Sequence, residues 1–212
     1  MPRLDTAADF TCMFGIPDDE LTPRVRRALA SLLTRFDEVR KRADVGRERE
    51  AYLQGLADGD AVLPVGNRRY LVRELSRIID RGRMAETTNT FVLVSIANGG
   101  RIRVKHGEAA IHATMCTAAG VLISAVRASD VVASLGGYDF GMVLTLAASD
   151  AAAVKIHSLA TTLAAWPYEH EGGRLRLDVD WGLHEIGRDD SPDAVIAAAD
   201  RDLVARGLRS PI

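Results

Sequence analysis

The segment that most constrains the fold is RASDVVASLGGYDF, residues 127–140. A short apolar run precedes Gly136 and Gly137, and apolar residues resume at Phe140. Paired glycines permit the tight or left-handed backbone that other residues resist. Two apolar runs flanking such a turn are typical of a β-hairpin. We therefore predict a buried strand, a glycine turn centred on Gly136 to Asp139, and a returning strand.

Composition narrows the class of protein. The chain has 212 residues, 47% hydrophobic and 26% charged, which is enough for one domain of about 150 residues with an appendage. Its 27 basic and 29 acidic residues give a net charge of -2, so no global field favours nucleic acid or anionic lipid. Cys12 and Cys116 stand apart without a C-x-x-C pattern, which indicates a reducing compartment. With no apolar run of roughly 20 residues and no basic leader, we predict a cytoplasmic protein without a membrane span.

An N-terminal helix is predicted to start near Thr22. Apolar residues then recur in alternating steps of four and three, as in a heptad seam, at Val25, Leu29, Leu32, Phe36, Val39 and Ala43. Charged flanks favour a parallel two-stranded coiled coil that makes a homodimer. The alternative is a helix that lies on its own domain. We predict residues 1–59 as this segment, a hinge over residues 55–64, and residues 60–212 as the globular domain.

The rest of the chain alternates between helical and extended patterns. A linker is expected after Gly99 and Gly100, leading to a long apolar helix from about Glu108. The order αβααββαβα predicts an α/β sandwich with helices packed on a sheet. Besides the hairpin strands, the predicted helices cover residues 70–82, 108–126, 151–166 and 191–205, and the predicted strands cover 90–96 and 174–183.

Several motifs together resemble the GGDEF, or diguanylate cyclase, family. The loop G-G-Y-D-F at residues 136–140 is similar to the signature hairpin in which that family holds substrate GTP. Arg127 and Asp130 keep the R-x-x-D spacing of its inhibitory site for cyclic di-GMP. Residues 60–69 resemble its opening motif D-x-L-T-G-L-x-N-R-R, and residues 199–203 match A-D-x-A-L in part. The resemblance implies a palm-like, nucleotide-cyclase-like fold: a mainly antiparallel central sheet flanked by helices, with an N-terminal helical extension.

The resemblance also implies chemistry by two magnesium ions held on carboxylates, which activate a 3′-hydroxyl of GTP. Residues 95–104 correspond to the family's D-x-D/H-x-F-K-x-I-N-D stretch, and its phenylalanine falls at Gly99. Among the positions that correspond to the family's active-site residues, only Asp139 is a carboxylate. We therefore predict a degenerate, inactive cyclase without bound magnesium. Metal, guanine and phosphate contacts of the family are replaced at Ser95, Arg103, His112, Tyr138 and Gly207.

The leading functional hypothesis is an inactive GGDEF protein that binds cyclic di-GMP at Arg127 and Asp130 and signals to an unidentified protein partner. An arginine fork suits phosphate oxygens or guanine O6 and N7, and a carboxylate accepts from guanine N1 and N2. Both side chains are expected to emerge at one sheet edge. Lys155 stands where the family often has a second arginine, and we include it in the site. Two alternatives stay open: a nucleotide-independent interaction module and a residual GTP-binding enzyme.

Overall fold

The chain divides into two compact units between Leu56 and Ala57. The structure is a computed structural model that describes residues 22–84, 87–170 and 173–206. In chain order its elements are α1 (Pro23–Asp58), α2 (Arg68–Met84), β1 (Thr90–Ile96), α3 (Gly99–Ser124), β2 (Val131–Gly136), β3 (Asp139–Leu144), α4 (Ser149–Ala165), β4 (Tyr168–His170), β5 (Gly173–Leu175), β6 (Val179–Glu185) and α5 (Pro192–Ala205).

Helix α1 starts where the sequence predicts, because the hydroxyl of Thr22 accepts a hydrogen bond from the amide of Val25 at 3.4 Å. The predicted hinge begins too early. The helix continues through Gly55 and ends at Asp58. Large apolar side chains of the heptad seam are exposed, among them Leu32 (63%), Phe36 (66%) and Val39 (62%). Among the described residues, no helix is long and apolar enough to cross a membrane.

Four strands form the central sheet in the order β2-β3-β1-β6, and every neighbouring pair is antiparallel. All seven residues of β1 are buried, as the run of β-branched and apolar residues predicts for a central strand. The predicted α/β sandwich with a mainly antiparallel sheet is confirmed. The glycine hairpin is also confirmed, as the connection between β2 and β3.

Helices cover both faces of the sheet, and the alternation of side chains along β1 separates two cores. Val92, Val94 and Ile96 pack with α3 and α4 in the larger cluster. Phe91 and Leu93 pack with α2 and α5 in the smaller one. Residues at the ends of these strands therefore lie between the two helical layers.

The single strand predicted over residues 174–183 is wrong. The chain leaves the sheet at residues 176–178, so β5 and β6 are separate strands, and β5 pairs with the unpredicted β4. The cause is Asn98. Its side-chain amide donates to the carbonyl of Arg176 at 2.8 Å and accepts from the amide of Asp178 at 3.1 Å.

The linker predicted after Gly99 and Gly100 is also wrong, because α3 already begins at Gly99. This helix consists of two helical segments that meet at Gly107, where φ is 84° and ψ is 175°. A positive φ of that size favours glycine, so the kink is placed by the residue type. The long helix predicted from about Glu108 is the second of these segments.

The segment that connects α1 to α2 covers the outer edge of β2. Gly66 donates its amide to the carbonyl of Val132 at 3.3 Å and accepts from the amide of Ser134 at 2.7 Å. The ring of Tyr70 packs directly on Gly66, where a Cβ would lie 2.2 Å from Cδ1 of the ring. Residues 58–66 are thereby held against the sheet.

Candidate functional site

The glycine loop lies at the end of β2 that faces the start of α3. Gly136 has φ 93° and Gly137 has φ 61°, conformations that side-chain-bearing residues rarely adopt. The carbonyl of Tyr138 accepts a hydrogen bond from the amide of Ile96 at 3.0 Å. Through this bond the hairpin is tied to the end of the central strand.

The aromatic ring of Tyr138 occupies the space above Gly99. A Cβ on Gly99 would lie 2.5 Å from Cγ of the ring and 2.7 Å and 2.8 Å from its Cδ atoms. The ring is partly buried against the larger core cluster. A helix N-terminus is a favourable place for phosphate groups because its first amides have no partner within the helix. Here an aromatic side chain stands against the first turn of α3.

Ser95 lies between two carboxylates on the same rung of the sheet. It pairs with Asp139 of β3 on one side and with Asp180 of β6 on the other. Directly paired residues of antiparallel strands project from the same face, with Cβ atoms about 4.5–5.5 Å apart. Ser95 is 5% exposed and Asp180 is 8% exposed. Asp180, which no motif marks, therefore lies beside Ser95 as a second carboxylate on the rung of Asp139.

The two predicted guanine-reading positions, Arg103 and His112, contact different parts of the protein. The guanidinium of Arg103 pairs with the carboxylate of Glu108 at 2.6 Å, on an exposed part of α3. The Nε2 atom of His112 lies 3.5 Å from the carbonyl oxygen of Val62 and 3.5 Å from Sγ of Cys116. His112 and Tyr138 line one cavity of about 220 Å³. Arg103 is not part of that lining.

Magnesium binds preferentially to hard oxygen ligands in octahedral geometry. Within residues 22–84, 87–170 and 173–206, no group of three or more His, Cys, Asp or Glu side chains could hold a metal ion. The Asp139, Ser95 and Asp180 rung offers two carboxylates and a neutral hydroxyl, which does not match the two-metal donor set that the resemblance implies. Gly207, the position of the phosphate-binding lysine, lies outside the described residues, as does Cys12.

The R-x-x-D turn lies at the opposite end of β2 from the glycine loop. Contrary to expectation, the carboxylate of Asp130 does not emerge at the sheet edge, because its side chain is only 3% exposed. One oxygen accepts from the amide of Arg127 at 3.0 Å, and the other accepts from the amide and the hydroxyl of Thr145, each at 3.0 Å. Nζ of Lys155 lies 3.5 Å from Oδ2 of Asp130. Asp130 therefore holds this turn together.

These contacts also control the charge of Asp130. Burial raises the pKa of the carboxyl, but the hydrogen bonds from Arg127 and Thr145, together with the ammonium of Lys155, outweigh it and leave the pKa below its ordinary value. The carboxylate is therefore ionised at neutral pH. The side chain of Arg127, in contrast, is exposed.

A cavity of about 590 Å³ adjoins Arg127. Its walls come from residues 58–59 and 63–66, from Tyr70 and from the end of α3, and most of the lining is apolar. Asp58 also lines it, and both carboxylate oxygens of Asp58 accept hydrogen bonds from the guanidinium of Arg73 at 2.6 Å. No motif in the sequence marks Asp58.

The chain belongs to the GGDEF family: the family model "Diguanylate cyclase, GGDEF domain" matches residues 57–208. No curated protein sequence matches the chain. The similar solved structures include the coiled coil and GGDEF domain of DgcB from Caulobacter crescentus, in complex with cyclic di-GMP, with 20% identity and a TM-score of 0.71 over 84% of this chain and 95% of that one.

Two further structures share the fold. A sensory box/GGDEF family protein from Caulobacter crescentus is 24% identical, with a TM-score of 0.66 over 72% of this chain and 99% of that one. Diguanylate cyclase SiaD from Pseudomonas aeruginosa, in complex with its activator SiaC, is 17% identical, with a TM-score of 0.68 over 87% of this chain and 75% of that one. At these identities the likeness establishes the fold alone.

Proposed function

We propose that this GGDEF protein has no diguanylate cyclase activity. The observation that carries the proposal is the ring of Tyr138 against Gly99, where it stands in place of a carboxylate and covers the first turn of α3. Ser95, Arg103 and His112 add to the argument, since a hydroxyl, a guanidinium and an imidazole replace the metal aspartate and the guanine-reading groups. Removing charged ligands from a two-metal site costs orders of magnitude in rate.

The test is incubation of the full chain with GTP and magnesium or manganese, with product separated by chromatography. We expect no cyclic di-GMP, and an intact cyclase assayed in parallel serves as the positive control. Asp139→Asn provides the matched control, because activity that survives it arises from a contaminating cyclase. Turnover comparable to the intact enzyme, lost in Asp139→Asn, contradicts the proposal.

We further propose that the protein is a receptor for cyclic di-GMP, with Arg127 as the principal anchor. Support comes from the exposed guanidinium at the rim of a cavity and from the ammonium of Lys155 beside the same turn. Arginine binds phosphate through two parallel hydrogen bonds. Asp130 contributes by fixing the geometry of the turn. A protein partner then reads the occupied state.

Calorimetric titration with cyclic di-GMP tests this receptor function. Wild type is expected to bind at micromolar concentration, and Arg127→Ala is expected to lose detectable binding because the phosphate fork is gone. Arg176→Ala, which removes another exposed arginine from the segment between β5 and β6, is the matched control and should bind like wild type. No heat with wild type, or equal binding by Arg127→Ala, contradicts the receptor function.

The burial of Asp130 favours a second candidate, a nucleotide-independent interaction module. In this case the R-x-x-D pattern is a structural turn, since its carboxylate already accepts three internal hydrogen bonds. The partner would be an active cyclase or another signalling protein, with a homodimer formed through the apolar seam of α1. Absence of cyclic di-GMP binding combined with an intact, dimeric protein selects this candidate.

A further inference from the structure

The imidazole of His112 and the thiol of Cys116 lie side by side on α3. They are four positions apart, a spacing that places two side chains on the same face of a helix. Nε2 of His112 lies 3.5 Å from Sγ of Cys116. His112 is exposed and Cys116 is half-buried, so an ion in solution can reach the pair. A histidine nitrogen and a cysteine sulfur are both preferred zinc ligands in proteins.

The carbonyl oxygen of Val62 is a third donor beside this pair. It lies 3.5 Å from Nε2 of His112 and 3.7 Å from Sγ of Cys116. Oδ1 of Asp60 accepts hydrogen bonds from the amides of Val62 and Leu63, each at 3.0 Å, and these bonds fix the backbone that carries the carbonyl. The part of the chain that the structure describes has no metal-binding group of three or more His, Cys, Asp or Glu side chains. A metal at this place therefore needs the backbone oxygen as a ligand.

The three distances match a tetrahedral zinc ion better than they match hydrogen bonds. Hydrogen bonds from nitrogen to oxygen usually span about 2.7–3.2 Å, and the contact between His112 and Val62 is longer. Zinc bonds of about 2.3 Å to sulfur and about 2.0–2.1 Å to nitrogen, at the tetrahedral angle, separate the two ligand atoms by about 3.5 Å. An oxygen ligand at about 2.0–2.2 Å then lies about 3.4 Å from the nitrogen and about 3.6 Å from the sulfur. The observed spacing therefore suits an ion of this size.

The surroundings of the three donors also suit a cation. Val62 and His112 line the cavity of about 220 Å³ together with the carboxylate-bearing residues Asp60 and Glu108. Among the described residues that line this cavity, none is a lysine or an arginine. A nearby carboxylate attracts a divalent cation, and the attraction is stronger near a protein surface than in bulk water.

We propose that His112, Cys116 and the carbonyl of Val62 bind one zinc ion. The thiol of Cys116 loses its proton to solvent as the zinc–sulfur bond forms, because the thiolate is the ligand. A water molecule completes the four-coordinate site, as in zinc sites with three protein ligands. Magnesium is not expected here, since it prefers hard oxygen ligands.

Zinc at this site ties the segment of residues 58–66 to α3. The segment shields the outer edge of β2 through the backbone hydrogen bonds of Gly66. Because the folded chain holds the three donors together and the unfolded chain does not, bound zinc stabilises the fold in proportion to its concentration. The site is independent of the proposed receptor function, since Arg127 is not among its ligands.

Titration of the metal-stripped full chain with zinc chloride, followed by calorimetry, tests the site. We expect one zinc ion per chain and a Tm that rises with zinc concentration. Loss of even an outer partner of a metal ligand costs about 10–100-fold in affinity, so Cys116→Ser and His112→Ala should each weaken binding by at least about tenfold. The matched controls are Cys12→Ser, which removes the chain's other thiol, and His157→Ala, which removes another exposed imidazole. Both should bind zinc like wild type.

Cobalt(II), which takes the place of zinc, identifies the sulfur ligand directly. A cobalt–thiolate bond gives an intense charge-transfer absorption in the near ultraviolet, which we expect in wild type and in Cys12→Ser but not in Cys116→Ser. If Cys116→Ser does not fold by circular dichroism, His112→Ala, at an exposed position, decides the question. Absence of zinc binding by wild type, binding by His112→Ala equal to wild type, or loss of the absorption in Cys12→Ser overturns the proposal.

Discussion

Gly99→Ala is expected to destabilise the domain, whereas Gly100→Ala, at the next position of the same helical turn, is expected to stabilise it slightly. A Cβ on Gly99 would lie 2.5 Å from Cγ of the Tyr138 ring, closer than two carbon atoms can approach. A Cβ on Gly100 has its nearest neighbour at 3.9 Å, the Cε2 atom of the same ring, which is an ordinary contact. One position therefore forces the ring to move, and the other does not.

The magnitude follows from two opposing effects. Overpacking a filled site costs about 1–3 kcal/mol, while alanine in a helix is favoured over glycine by up to about 1 kcal/mol. The expected net change is a loss of about 1–2 kcal/mol for Gly99→Ala and a gain of about 0.5–1 kcal/mol for Gly100→Ala. A difference of about 2 kcal/mol between the two variants corresponds to roughly 4–8 °C in Tm for a chain of this size.

Thermal and urea unfolding of the full chain, followed by circular dichroism, measure this difference. Tyr138→Ala removes the ring, so adding Gly99→Ala to it should cost nothing further. The two substitutions are then coupled by about 1–3 kcal/mol, as expected for residues in direct contact. Equal stability of Gly99→Ala and Gly100→Ala, or additivity of the Gly99 and Tyr138 substitutions, would refute the assignment of Tyr138 to the space above Gly99.

Three further expectations follow from other contacts. Asp130→Asn should lower the free energy of unfolding at neutral pH. Because the folded-state pKa of Asp130 is depressed, the difference from wild type should disappear as the pH falls below the ordinary carboxyl value of 3.8. Chemical unfolding at several pH values tests this, and a difference that grows in acid contradicts it. Gly182→Ala should lower the free energy of unfolding by about 3 kcal/mol or more. A Cβ would lie 2.2 Å from the carbonyl oxygen of Ala199 and 2.5 Å from the amide nitrogen of Leu203, and these backbone atoms of α5 cannot rotate away. Wild-type stability in urea unfolding would refute this. Deletion of residues 1–56 should convert the proposed homodimer to a monomer in light scattering, and an unchanged mass would place the interface elsewhere.

Much of the fold is predictable because it depends on local patterns. The paired glycines at 136 and 137 determine the hairpin, and Ser191 with Pro192 marks the start of α5, where the serine hydroxyl accepts from the amide of Ala194 at 3.3 Å. The predicted strand β1 has the observed bounds. These signals are contained within a few residues, so tertiary packing does not override them.

The site is less predictable because its contacts join residues that are distant in the chain. Asp180 lies beside Ser95 only because of the register between β1 and β6. Likewise, the carboxylate of Asp130 is already bonded within the protein because Thr145, fifteen positions later, donates to it. A motif records which residue types are present. It does not record whether a carboxylate faces solvent or is already bonded within the protein.

The hydrogen bonds of Gly66 have a practical consequence for the choice of fragment boundaries. β2 is a terminal strand of the sheet, and residues 58–66 shield its outer side through the amide of Ser134 and the carbonyl of Val132. A fragment that begins beyond Gly66 would present these groups as an open strand edge, which invites pairing between molecules and aggregation. A fragment that begins at Ala57 keeps the shield and should give a monodisperse preparation.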